Sequence, residues 1–278
     1  MKSSQIKALI NLLGKETGQQ AILLRRELAQ LVKQNPQALK EVIATDFNSS
    51  LPMPFIYAMQ EIAWDELFDH TIHFAEKINP ELEEALCLVT RFVNPAFTSK
   101  EITEMLDGLA LQLKPILSNC NSAVDIWQTL SRFFFHTQAF TVLSCARDIK
   151  DVSFGRFVQK KQGSSLCMCC LYTVCANRFG LEAGVVDLAG RVLAGVFSQD
   201  GSEPVFADPL DGGKLLTIQD CKNYIQSRNL TWDDQFLTPL SSHTLLRRFL
   251  ANMIFILNKV QDHRRLSYLH RYMDVLAR

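Results

Sequence analysis

Apolar residues recur along the first half of the chain with the period of a helix. Ile6, Leu9, Ile10 and Leu13 fall on one stripe, and Ile22, Leu23, Leu28, Leu31 and Val32 follow the same spacing. This pattern predicts a helical amino-terminal region over residues 1–137. Pro36, Pro52, Pro54, Pro80, Pro95 and Pro115 punctuate it, mostly where one helix would end and the next begin. Asn79-Pro80 and Asn94-Pro95 are turn signals. Ser122 and Asp125 have the spacing of a capping box, with aspartate in the place of the usual glutamate. No exact internal repeat is present, so a solenoid of helical repeats stays one option among several.

The pattern changes after Gln138. Residues 140–144 are rich in strand formers, and 151–162 are mixed. Gly163-Ser164-Ser165 then opens an apolar run over 166–179 that Gly180 closes, which is helix start and stop chemistry. Residues 185–188 and 192–197 read as strands separated by Ala189-Gly190. A polar turn centred on Asp200-Gly201 leads to a partner strand at 205–207, and Asp211-Gly212-Gly213 makes another turn before a helix at 218–226. This is the pattern of a compact core over 138–240. Over 241–278, Leu245, Leu246, Phe249, Leu250, Met253, Ile254 and Leu257 give one apolar face, and Leu266, Leu269, Met273, Val275 and Leu276 give a second. The few residues around 261–263 that join them make the two helices antiparallel neighbours. The fold class expected is therefore α+β and mostly helical: a small core of one helix plus a short antiparallel sheet, and a C-terminal helical hairpin.

Composition narrows the function classes. Of 278 residues 47% are hydrophobic and 21% charged, which describes a globular protein with a substantial core. The formal net charge is zero, without the basic excess of a nucleic-acid binder. No apolar run reaches the roughly 18 residues of a membrane span, and the apolar stretch at 8–13 is too short and too soon broken for a secretory signal, so none is expected. The eight cysteines lie mostly in apolar runs, four of them within 167–175. That spacing suits a reduced, cytoplasmic chain better than a disulfide scaffold.

The order helix, strand, strand carries a resemblance. Gly163, Leu171, Tyr172, Ala176, Gly180, Leu181, Gly184, Val185, Gly190 and Asp208-Pro209 with Gly213 resemble the core of the bacterial SirB-type regulators, a family within the transglutaminase-like superfamily. That family ends in tetratricopeptide-like helices, and residues 245–276 look like one such unit. Active enzymes of the superfamily use a Cys–His–Asp triad in that chain order, with the thiol at the start of a buried helix. The resemblance places the nucleophile position on Ser165, the base position on Arg191 and the orienting carboxylate on Asp208. Arginine stays protonated and has no acceptor lone pair, so it is no base. A serine hydroxyl without a base has nothing to take its proton. No histidine occurs between His136 and His243.

Several further features invite chemistry. Cys167-Met168-Cys169-Cys170 points its thiols in diverging directions on a helix and matches no zinc spacing, so small buried packing residues are the expectation. His70 and His73, beside Asp69 and Glu66, read as a solvated helix surface rather than a metal face. Arg191 and Asp208 are expected to pair across neighbouring strands. In 241–278, seven Arg or Lys stand against two Asp. Arg264, Arg265, Tyr268, Arg271 and Tyr272 there are candidates for contact with an acidic partner, unless the hairpin merely docks on the core. The expected function is a non-catalytic, protein-binding regulator, adaptor or scaffold, with neither cofactor nor metal. The alternatives are a hydrolase or acyl-transferase using Cys167 or Cys169 with a displaced histidine, and a small-molecule sensor using the vacated cleft.

Overall fold

A computed structural model describes residues 2–13, 19–35, 38, 42, 53–118, 120, 122–197 and 203–277. Pro36, Pro52 and the turn at Asp200-Gly201 lie outside them. The chain divides into two compact units, residues 1–70 and 71–278.

The first unit contains α1 (Lys2–Leu13), α2 (Gln19–Gln34) and most of α3 (Met53–Glu76). Ile6, Leu9, Ile10 and Leu13 do form the buried stripe of α1, together with Leu28, Val42, Phe55 and Ala58. On α2 the expected stripe is rotated. Ile22 and Leu23 are 46% and 64% exposed, while Ala21 and Leu28 are buried and Leu24, Leu31 and Val32 pack alongside. Leu24, Leu28, Leu31 and Val32 make a complete i, i+4, i+7, i+8 face, so that face wins over the adjacent Ile22-Leu23 pair.

The second unit opens on the end of α3 and continues with α4 (Leu82–Val93), α5 (Ser99–Leu117) and α6 (Ala123–Arg132). Thr98 and Glu101 close a capping box on α5, and Ser122 accepts the Asp125 amide at 3.1 Å to start α6. Pro115 falls inside the last turn of α5 rather than beyond it. A π-helical turn (Phe133–Thr137) ends α6. β1 (Thr141–Val142) then pairs in parallel with β2 (Gln162–Gly163), bracketing α7 (Phe154–Lys160).

The centre of the unit is α8 (Ser165–Asn177), on which every side chain from Leu166 to Ala176 is buried. Its amphipathicity is nearly absent in sequence, as befits a helix covered on all sides. Ser164 caps it, its Oγ accepting the Cys167 amide at 3.3 Å, and Gly180 (φ 73°) turns the chain away. An antiparallel meander follows: β3 (Ala183–Leu188), β4 (Arg191–Val196), β5 (Val205–Asp208) and β6 (Lys214–Leu216), in that spatial order. Ala189 and Gly190, at φ 51° and 95°, form the two-residue hairpin between β3 and β4. α8 packs against β3 and β4. Val186, Leu188, Leu193 and Phe206 share one sheet face, which Cys221 and Ile225 of α9 (Ile218–Ser227) cover.

The C-terminal hairpin is α10 (Ser242–Lys259) and α11 (His263–Leu276). Of its expected apolar faces, Ile254, Met273 and Val275 are only half-buried and the rest are buried, and α10 packs on α4 and on the 3-10 turn Ile149–Val152. Arg248 fastens it to the sheet, pairing with Asp187 and donating to the Gly190 carbonyl at 3.1 Å. Both partners are part-exposed, so the clamp is worth about 1 kcal/mol. Arg248→Ala is expected to lower the denaturation midpoint by that amount and to speed hydrogen exchange at the Gly190 amide. Unchanged exchange there would show that the clamp does not hold the turn.

Candidate functional site

Two local devices fix the start of α8. A Cβ on Gly163 would lie 2.9 Å from the Asp151 carbonyl oxygen and 2.8 Å from Phe157, so only glycine fits there. The Ser164 amide donates to that same carbonyl at 2.9 Å. Ser165 is the first residue of the helix and is half-buried. Two residues on, Cys167 is wholly buried and receives a hydrogen bond from the Ser164 hydroxyl at 3.3 Å. Burial pushes the Cys167 thiol up to about 12, outweighing the hydrogen bonds from Ser164 that favour the thiolate. Burial also drives the Cys169 and Cys170 thiols well above their ordinary value and the Cys175 thiol to about 12. Among the described residues no histidine hydrogen-bonds a cysteine; His70 and His243 engage the carbonyls of Glu66 and Phe74 instead.

Arg191 opens β4 and Asp208 closes β5. Extending the observed register sets Asp208 opposite Leu193, so Arg191 is its diagonal neighbour on the same face. The two form an ion pair. Asp208 is 1% exposed and also accepts the Leu210 amide at 2.9 Å, capping the 3-10 turn Pro209–Asp211. Arg191 is 28% exposed and its guanidinium lies 5.1 Å from the Tyr224 ring centroid. The face they occupy is the one covered by α9. No hydrogen bond or ion pair joins Ser165 to either of them among the described residues. The three positions are thus two groups: a serine at a helix start, and a cation–carboxylate pair against Tyr224.

The turn after Asp208 is tied back to α8. The Gly213 amide donates to the Asp208 carbonyl at 2.8 Å, and the Gly213 carbonyl accepts the Ser131 hydroxyl at 2.8 Å. Tyr172 of α8 donates to Ser131 at 2.8 Å. At φ 76°, and with a Cβ 2.6 Å from the Tyr172 oxygen, position 213 admits glycine alone.

A family model of the transglutaminase-like superfamily matches residues 100–251, more than half of the sequence. The chain belongs to the transglutaminase-like superfamily. The matched segment of this superfamily member runs from the first turn of α5 into α10 and contains Ser165, Arg191 and Asp208 together. It therefore begins well before residue 138, because α5 and α6 pack against α8 and the sheet as part of the same body. No curated protein and no solved structure matches the chain.

On the hairpin the expected contact residues are divided. Tyr272 is 2% exposed and packs edge-on against Phe92, ring centroids 5.8 Å apart, so it is a core residue. Arg265 pairs with Asp262 of its own helix cap, at 3.5 Å. Arg264 and Tyr268 are half-buried, and Arg271 is exposed with its guanidinium 5.3 Å from the Tyr268 ring. A cavity of about 230 Å³ lies elsewhere, between α4 and the end of α8. There Arg178 is held by Glu83 at 2.5 and 3.1 Å and by Asp107 at 3.0 Å. Sequence reading took Ser164 only as a helix start, without its bond to the Cys167 thiol, and missed the roles of Tyr224 and Arg248. Neither Tyr224 nor Arg248 left a signal in the sequence pattern.

Proposed function

We propose that this superfamily member is a SirB-type, non-catalytic protein that acts in the cytoplasm by binding another protein as a regulator, adaptor or scaffold. The observation that carries the reading is the Arg191–Asp208 pair. Where an active relative holds a neutral base against the carboxylate, this chain holds a permanent cation that accepts no proton. Among the described residues no base hydrogen-bonds Ser165, and the nearby thiols are buried and held protonated, which opposes the rival reading of a Cys167 or Cys169 enzyme. The C-terminal hairpin, with its surplus of cations, supports a binding role.

The test is chemical. The purified protein, given a fluorogenic ester, an amide substrate and a maleimide probe at pH 7.5, is expected to show no turnover and no labelling of α8. Ser165→Cys combined with Arg191→His is expected to stay inactive, because no hydrogen bond joins the two positions among the described residues. Turnover by the wild type that Cys167→Ala or Cys169→Ala abolishes would establish the enzyme instead.

A further inference from the structure

Part of the helical hairpin's surface is already engaged within the fold. Its apolar faces are mostly buried, Arg248 is committed to Asp187, and Arg265 to Asp262. On α10 one exposed stripe stands out. Arg247, Ala251, Phe255 and Lys259 follow at intervals of four along α10, and all are exposed. Residues four apart stack on one face of a helix, so these make a single line about 18 Å long. Phe255 is 58% exposed and Val260, just beyond the helix end, is 63% exposed. The Lys259 ammonium lies 4.1 Å from the Phe255 ring centroid. Arg247 has no ion-pair partner among the described residues. Residues 242–260 contain no aspartate or glutamate at all. Phe255 leaves more than half of its surface to solvent, and an aromatic bracketed by cations beside a small residue has the make-up of an interface centre.

We propose that this stripe of α10 is the docking surface for an acidic amphipathic segment of a partner protein. An apolar side chain of the partner seats over Ala251 against Phe255 and Val260, and its flanking carboxylates meet Arg247 and Lys259. The charge on α10 is of one sign, so the partner's complement is acidic. This rests on the protein-binding reading above, and it moves the contact from the residues first expected on α11 to the outer side of α10.

The probe is a labelled 17-residue helical peptide with a leucine stripe flanked by glutamates, titrated against the full chain by fluorescence anisotropy. Binding is expected to weaken with salt, to fall tenfold or more with Phe255→Ser, and to vanish with Arg247→Glu plus Lys259→Glu. Replacing the peptide's glutamates by glutamine should weaken it at least tenfold. Leu111→Ser, at a 74% exposed site on α5, should change nothing. These are surface positions, so melting temperatures are expected to hold and to report misfolding if they do not. The proposal is overturned if the peptide fails to bind or binds regardless of Phe255. It is equally overturned if the stripe instead takes up phosphatidylserine vesicles, or drives self-association that Phe255→Ser abolishes. Such failures leave the non-catalytic reading standing, because the turnover assay reads Ser165 and the α8 thiols and not α10.

Discussion

Raising the pH from 8 to 11 is expected to destabilise the protein by several kcal/mol through two thiols alone. Cys167 and Cys175 are both wholly buried, and burial lifts each from 9.0 to about 12. The unfolded chain gives up these protons near pH 9, while the folded chain keeps them. Stability from the buried neutral thiols is therefore intact below about pH 9 and is lost progressively toward pH 12, by about 4 kcal/mol per thiol in full. At pH 11 the loss is about 5 kcal/mol for the pair, comparable to the total stability of many domains. Lysines and tyrosines titrate in the same range, so the informative quantity is a difference. Guanidinium unfolding under reductant, at pH 8 and pH 11, should show a pH penalty smaller by that amount in Cys167→Ala/Cys175→Ala. Parallel losses in the two proteins would mean that the α8 thiols already reach water.

The sequence pattern carried the second unit well wherever one physical signal acted alone. α8 was legible because Ser164 and Gly180 bound a continuous apolar run, and the β3–β4 hairpin because Ala189-Gly190 left only a two-residue loop. The C-terminal hairpin followed from two full apolar faces and a short link. β6 was not legible. It has three residues, and its strand state comes from pairing with Phe206, Ala207 and Asp208 rather than from any local preference. The boundary near residue 138 marks a real change of pattern, yet α5 and α6 pack into the same unit as α8. Packing between elements leaves no mark on the period of either.

The candidate site was half legible. The Arg191–Asp208 pair was expected from strand neighbours 17 residues apart, and it forms. Its orientation was not expected. Strand parity turns both residues toward α9 and Tyr224, and parity depends on register, which the sequence specifies only once the hairpin geometry is known. On α11, Tyr272 looked like a surface aromatic because charged residues surround it. The helix places it on the Leu269–Leu276 side, against Phe92, which one stripe alone does not reveal. Tyrosine suits both settings, so its type does not discriminate between them.

Substitutions at the pair are expected to be unequal, with the arginine the more costly to remove. Asp208 is 1% exposed and Arg191 is 28% exposed. Arg191→Met strands a carboxylate inside the protein, with the Leu210 amide as its remaining donor. Breaking a buried pair in this way costs about 3 kcal/mol. Asp208→Asn keeps an acceptor for the Leu210 amide and leaves a guanidinium that still reaches water and still rests on Tyr224. The expected loss there is about 1–2 kcal/mol, reduced from the buried value by solvent screening. The double variant removes both charges together and should be more stable than Arg191→Met alone, so the coupling energy in a double-mutant cycle exceeds the roughly 1–2 kcal/mol lost in Asp208→Asn. Chemical denaturation of the four proteins at pH 7 measures it. If Asp208→Asn proved the more damaging, or if the two losses simply added, Arg191 would not be the charge that holds Asp208 in place. The base position would then be a vacant cation facing a cleft, and the ligand-sensor reading would gain the support it now lacks.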